Sequence, residues 1–156
     1  MTSTQKAAAI TFARMITQSD IQAHFDRWNN KYDDFDKAYG PQCKDVFSRY
    51  NHDLVTKTYI VGNPIVMWRN YDKLATLKKF YEKIPNDSWW KVPKMGDVII
   101  FDIGSTGHIS ICTNAVNWLW FTSFDQNYPL GSKCHYVAHN YLRPKVLGWF
   151  RPRNLV

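Results

Sequence analysis

The sequence predicts an α+β fold in which N-terminal helices pack on a C-terminal antiparallel β-sheet. Apolar residues recur at helical spacing through the first half of the chain, then give way after Met95-Gly96 to short runs of β-branched and aromatic residues. Tight turns built on Gly and Asn separate those runs, which is the pattern of a meander and not of alternating βαβ units. With 156 residues, 45% hydrophobic and 16% aromatic, the chain is expected to form one domain over 1–156. A helical segment would occupy 1–29 and the core of the domain 30–153.

Residues 5–17, from Gln5 to Thr17, carry apolar groups at helical spacing, and Ile21–Trp28 continues that character. Lys31–Gly40 is rich in Asp and runs into Tyr39-Gly40-Pro41, so it reads as a loop. Between Gln42 and Leu54, the positions Cys43, Val46, Phe47, Tyr50 and Leu54 fall on one face of an amphipathic helix. Leu74, Leu77, Phe80 and Tyr81 predict a further helix over 70–83. Strands are predicted at Asp97–Ile103, His108–Thr113, Trp118–Asp125 and near Leu147–Arg151, with turns at 104–107 and 114–117.

The net charge of +7 predicts an anionic partner, either nucleic acid or an anionic bacterial envelope. No apolar run approaches the roughly 20 residues that span a membrane. The opening Met-Thr-Ser-Thr-Gln-Lys and the short Ala-Ala-Ala-Ile stretch do not read as a signal peptide, so synthesis as a soluble cytoplasmic protein is expected. Three cysteines, Cys43, Cys112 and Cys134, cannot close a disulfide framework, and free thiols are expected.

Cys43 falls in the first turn of its predicted helix. A thiol there faces the positive end of the helix dipole, which favours the nucleophilic thiolate. The Gln42 side-chain amide and the Cys43 backbone N–H are candidate donors to an oxyanion. His108 opens a strand directly after a Gly turn, placed to project toward that helix. Asp125-Gln126-Asn127 offers a carboxylate and an amide to orient the imidazole. On these residues alone, an inert helix cysteine and an ordinary surface histidine remain an alternative.

Four blocks in order carry a resemblance: Tyr39-Gly40-Pro41-Gln42-Cys43-Lys44-Asp45, Met95-Gly96-Asp97-Val98-Ile99-Ile100-Phe101, Gly107-His108-Ile109-Ser110-Ile111 and Phe124-Asp125-Gln126-Asn127-Tyr128. Together they resemble the cysteine, histidine-dependent amidohydrolase/peptidase (CHAP) family, especially CHAP domains of bacteriophage endolysins, over roughly residues 30–153. The resemblance implies a papain-like fold and a thiol hydrolase of bacterial peptidoglycan that causes host lysis. It implies Cys43 as nucleophile, His108 as general base, Gln42 as oxyanion donor, and Asn127 as polar support or oxyanion contributor. Asp125 stands where phage relatives often have Glu; one methylene shorter, it leaves open whether Asp125 or Asn127 orients His108. An N-acetylmuramoyl-L-alanine amidase and a cross-bridge endopeptidase are both compatible. The resemblance further implies accumulation in the host cytoplasm and holin-mediated release to the wall, with action as a monomer and without nucleic acid or membrane insertion.

Asp34, Asp36 and Asp45 occupy the first, third and last positions of an EF-hand-like spacing, with Ala38 and Gly40 offering carbonyls between them. Tyr39 replaces the usual turn glycine and Asp45 is shorter than the usual Glu, so a solvated acidic loop is the alternative. The resemblance implies a structural Ca²⁺ here, ahead of the nucleophile.

Cys134, His135 and His139 have part of a zinc-like spacing but lack a fourth ligand, and a surface loop with incidental histidines is expected. Cys112 is expected to be a small buried cysteine. Trp89, Trp90, Trp118 and Trp120 are candidates for stacking on glycan, although aromatics at alternating strand positions more often belong to a core. Arg143, Lys145, Arg151 and Arg153 are expected to form a solvated basic face. Two rivals to the endolysin remain: a virion-associated wall-degrading enzyme, and a wall-binding protein without turnover.

Overall fold

The computed structural model describes residues 14–156. Among the described residues, four α-helices precede or flank a six-stranded antiparallel sheet. They are α1 (Gln18–Trp28), α2 (Cys43–Tyr50), α3 (Pro64–Arg69) and α4 (Ala75–Phe80). The strands are β1 (Tyr81–Pro85), β2 (Val98–Asp102), β3 (His108–Ala115), β4 (Trp120–Asp125), β5 (His135–Asn140) and β6 (Lys145–Pro152), in the order β1-β6-β2-β3-β4-β5.

The sheet is apolar on both faces. Val98, Ile100, Ile109, Ile111 and Phe124 pack with Phe25, Val46, Phe47 and Tyr50 of the helices in one core. Ile99, Phe101, Cys112, Phe121 and Trp149 form a second core. Burial on both sides explains why β2 reads Val-Ile-Ile-Phe without alternation. Phe47 is 1% exposed, and truncating such a side chain to Ala costs about 3–5 kcal/mol.

Several elements differ from the sequence reading. Most of the predicted helix over residues 5–17 lies outside the described residues. Its last residues are extended: Ile16 pairs with Leu155, and the Thr17 hydroxyl caps α1 by accepting from the Asp20 N–H at 3.2 Å. The predicted 42–54 helix is α-helical only to Tyr50 and then widens into a π-helical turn over Asn51–Val55. The predicted 70–83 helix ends at Phe80, where the chain enters β1 and Tyr81 pairs with Pro152. Tertiary bonds decide that change: Tyr81 carbonyl accepts from the Tyr71 hydroxyl at 2.8 Å, and Tyr81 hydroxyl donates to Asn51 at 2.9 Å.

Helix α3 was not predicted, although Asn63-Pro64 is a start signal: the Asn63 side chain accepts from the Val66 N–H at 2.9 Å and Pro64 takes the first position. β5 replaces the expected surface loop around His135 and His139. β4 begins at Trp120 because Asn117 Oδ1 accepts from the Leu119 and Trp120 N–H groups and makes 117–120 a turn. The basic face is only partly solvated, since Arg151 makes two bonds to buried Asp97, at 2.9 and 2.6 Å, and Arg153 donates to the Lys78 carbonyl.

Candidate active site

Cys43 is the first residue of α2, where the backbone N–H groups lack intrahelical partners. Gln42 precedes it in extended conformation at φ −119°, and its N–H donates to Asp45 Oδ2 at 2.7 Å. Buried Gln126 fixes this entry to the sheet. Its Nε2 donates to the carbonyls of Asp33 and Gln42, each at 2.8 Å, while its Oε1 accepts from the Asp33 N–H at 2.7 Å. The end of β4 thereby holds the backbone immediately ahead of the nucleophile candidate. Cys43 is partly exposed, whereas Cys112 and Cys134 are buried.

His108 is the first residue of β3. Gly107 before it has φ +77°, and a Cβ there would stand 2.8 Å from Ile65 and 2.9 Å from the Phe101 carbonyl. Both the left-handed backbone and the close approach require glycine. His108 Nε2 lies 2.7 Å from Asp125 Oδ2, so Nδ1 is the ring nitrogen left for Cys43. Phe101 and Tyr128 pack on the imidazole, with ring centroids 5.3 and 5.0 Å away.

Asp125 is fully buried and receives three side chains. The Ser123 hydroxyl donates to Oδ1, and His108 and His139 share Oδ2, His139 at 3.1 Å. Burial pushes the Asp125 carboxyl up, but the bonds from the two histidines outweigh it and hold the group below the usual carboxylate range. Burial pushes His108 down, yet hydrogen bonds to Asp125 and Cys43 and their charges raise it to about 9. At neutral pH the site therefore holds an imidazolium against a buried carboxylate, with the Cys43 sulfur at a helix N-terminus as its other neighbour.

Cys43, His108 and Asp125 are thus brought together, and the shorter acid reaches the imidazole directly. Asn127 is placed differently. At φ +60° its Oδ1 accepts from the Gly131 N–H at 2.7 Å, and its Nδ2 faces Gln42 Oε1 at 3.5 Å. Asn127 therefore supports Gln42 and the 127–131 turn, and Asp125 is the residue bonded to His108. Gln42 Nε2 donates to the Tyr39 carbonyl at 3.1 Å, leaving one N–H of that amide free.

His139 and Gln126 were the residues whose roles the sequence hid. Cys134, His135 and His139 diverge: Cys134 Sγ approaches Gln126 at 3.4 Å, His135 bonds the Lys133 carbonyl, and His139 turns inward to Asp125. They form no shared metal site. His135 and His139 lie on the same face of β5, so strand alternation does not separate them; what separates them is that His139 is buried and His135 is not.

Asp34, Asp36 and Asp45 bring carboxylate oxygens within 4.8 Å of one another. Asp34 Oδ1 is buried without a hydrogen-bond partner, as expected of a cation ligand. Asp45 Oδ1 accepts from the Phe35 N–H at 3.0 Å, which couples this loop to α2. Lys37, Tyr39 and Gly40 all have positive φ, so the loop is tightly wound. The hard oxygen donors fit Ca²⁺, with the Ala38 and Gly40 carbonyls available from the same loop.

The four exposed indoles also depart from expectation. Trp89, Trp90, Trp118 and Trp120 are 49–70% exposed and do not belong to either core.

No family model matches the chain, and no curated protein matches it. Among solved structures, the chain is similar to the wild-type endolysin LysIME-EF1, with a TM-score of 0.70 and 26% identity over 88% of this chain and 65% of that one. It is also similar to Ly7917, with a TM-score of 0.61 and 12% identity over 88% of this chain and 63% of that one. Ly7917 with the hydrolyzing product of MDP gives a TM-score of 0.60 at the same identity. The chain spans less than two thirds of the length of each of these structures. The likeness to Ly7917 is one of fold, and the chain shares with LysIME-EF1 both the fold and a quarter of its aligned residues.

Proposed function

We propose that this chain is a cysteine-dependent peptidoglycan hydrolase of the CHAP type, acting as a phage endolysin. The observation that carries the proposal is the bond of His108 Nε2 to buried Asp125, which leaves Nδ1 for Cys43 at the start of α2. The likeness to an endolysin at 26% identity supports the same reading.

The reaction proposed is amide hydrolysis in the stem peptide or cross-bridge. Cys43 Sγ attacks the carbonyl carbon, and the developing oxyanion is received by the Cys43 N–H and the free N–H of Gln42. As the C–N bond breaks, the proton on His108 Nδ1 passes to the leaving amine. A water molecule then gives its proton to Nδ1 and its hydroxyl to the thioester carbon, releasing the acid and restoring the thiolate. Asp125 keeps Nε2 protonated and holds the ring in this orientation throughout.

In this proposal Asp34, Asp36 and Asp45 hold Ca²⁺ with the carbonyls of Ala38 and Gly40. When bound, Ca²⁺ would balance the three carboxylates and hold the loop entering α2. The protein would accumulate in the host cytoplasm and reach the wall after holin-mediated release.

Turbidity of Gram-positive cell walls tests the function. Clearing by the unaltered protein and none by Cys43→Ala is expected. Equal behaviour of the two would remove Cys43 from the mechanism.

A further inference from the structure

We infer that an aromatic cleft at the other end of β4 from the catalytic array binds amino-sugar glycan, an inference that builds on the wall-hydrolase reading by giving the enzyme a second hold on its polymer. The cleft has a volume of about 620 Å³ and is walled by Trp89, Trp118, Trp120 and Tyr141, with Asn86 and Arg143 among its polar lining. That volume lies within the range of small-ligand clefts. Trp120 begins β4 and Asp125 ends it, so at about 3.4 Å per residue the two are roughly 17 Å apart.

Single exposed apolar residues are ordinary, but here three indoles, 70%, 57% and 49% exposed, surround one concavity. The loops that carry them are braced. Asn117 Oδ1 accepts from the Leu119 and Trp120 N–H groups at 2.7 and 3.0 Å, and the Tyr141 hydroxyl donates to the Asn117 carbonyl at 3.2 Å. Asn140 Oδ1 accepts from the Leu142 and Arg143 N–H groups at 2.9 and 2.7 Å. Across the cleft, Asp87 holds Lys91 at 2.7 Å and Ser88 at 3.0 Å. Loop backbone braced in advance needs less ordering when a ligand stacks on the rings it carries.

The chemistry of the lining selects the occupant. Flat indole faces suit the C–H faces of a pyranose ring, and amide and hydroxyl side chains suit its hydroxyl and acetamido groups. Asp87 neutralises Lys91, so Arg143 sets the sign of the cleft. That favours a neutral or acidic sugar and disfavours a quaternary ammonium, which aromatic cages otherwise bind. A concave site also suits a polymer strand better than a lipid surface, which needs a protruding apolar face.

The test is calorimetric titration of a peptide-free β-1,4-linked N-acetylglucosamine tetramer into the Cys43→Ala protein, so that binding is read without hydrolysis. Saturable binding is expected, with Kd raised at least about tenfold by Trp118→Ala or Trp120→Ala at unchanged thermal midpoint. Indole fluorescence of the protein with all its tryptophans, perturbed by the same sugar, gives a second readout should either variant fold poorly. Absence of binding to the Cys43→Ala protein would overturn the assignment, as would binding that survives both tryptophan substitutions. Tryptophan-dependent adsorption to anionic phosphatidylglycerol vesicles without sugar binding would overturn it in favour of a membrane surface. Failure of the unaltered enzyme to clear walls would count against the hydrolase reading and leave this titration independent.

Discussion

His139 Nε2 lies 3.1 Å from Asp125 Oδ2, the same oxygen that holds His108 at 2.7 Å. A buried carboxylate with one partner would be free to rotate; with His139 on the same oxygen and Ser123 on the other, both Asp125 oxygens are fixed. In the proposed mechanism His139 therefore acts as a positioning residue, bearing on the imidazole through Asp125.

Asp125→Asn is expected to lower kcat by on the order of 10²–10⁴-fold, because an amide can present its N–H to Nε2 and force the wrong tautomer. His139→Ala should lower kcat less than Asp125→Asn, and His139→Gln should restore part of the loss by donating to Oδ2. Steady-state kinetics on purified peptidoglycan measures both. Full activity in His139→Ala would leave Asp125 positioned by His108 and Ser123 alone.

The pH dependence follows from the bond to Asp125. His108 is raised to about 9, so kcat/KM is expected to fall as pH rises through about 9 and the imidazolium is lost. In Asp125→Asn that alkaline limb should move to lower pH. His108 binds its proton more tightly folded than unfolded, where its ordinary value is 6.5. Its stabilising contribution is thus complete below pH 6.5 and lost as pH rises through about 9. Asp125 has the opposite sign, contributing above its ordinary 3.8 and losing that contribution as pH falls through its depressed folded value. Thermal midpoints across pH check both limbs.

Calcium at the acidic loop is expected to raise the thermal midpoint, and chelation to lower both midpoint and activity. Asp34→Asn should abolish the calcium-dependent part of the shift, since it neutralises the side chain whose buried Oδ1 has no other partner. A midpoint indifferent to calcium and chelator would make the loop a solvated acidic turn.

The fold class was legible because the change from helical spacing to short β-rich runs is local to the sequence. The boundaries at Tyr81 and Asn51 were not, because tertiary bonds through Tyr71, Tyr81 and Asn51 decide them. The helical spacing of Leu77, Phe80 and Tyr81 therefore continues past the point where the sheet takes over. The places of Cys43 at a helix start and of His108 after a Gly turn were legible, and Asp125 was one of two candidates, with Asn127, for the partner of the imidazole. Choosing Asp125 over Asn127 required the strand to end where it does: Asp125 is still in β4, while Asn127 turns away at φ +60°. His139 was hidden because its partner is 14 positions away on the neighbouring strand, and no local pattern announces a cross-strand bond.

The most direct measurement of the central claim is alkylation with iodoacetamide, scored by mass spectrometry alongside residual wall hydrolysis in the same samples. Cys112 and Cys134 are 0% exposed, so one adduct per folded chain is expected, at Cys43, with activity falling in proportion to its occupancy. Hydrolysis that persists after Cys43 is fully alkylated would contradict the account.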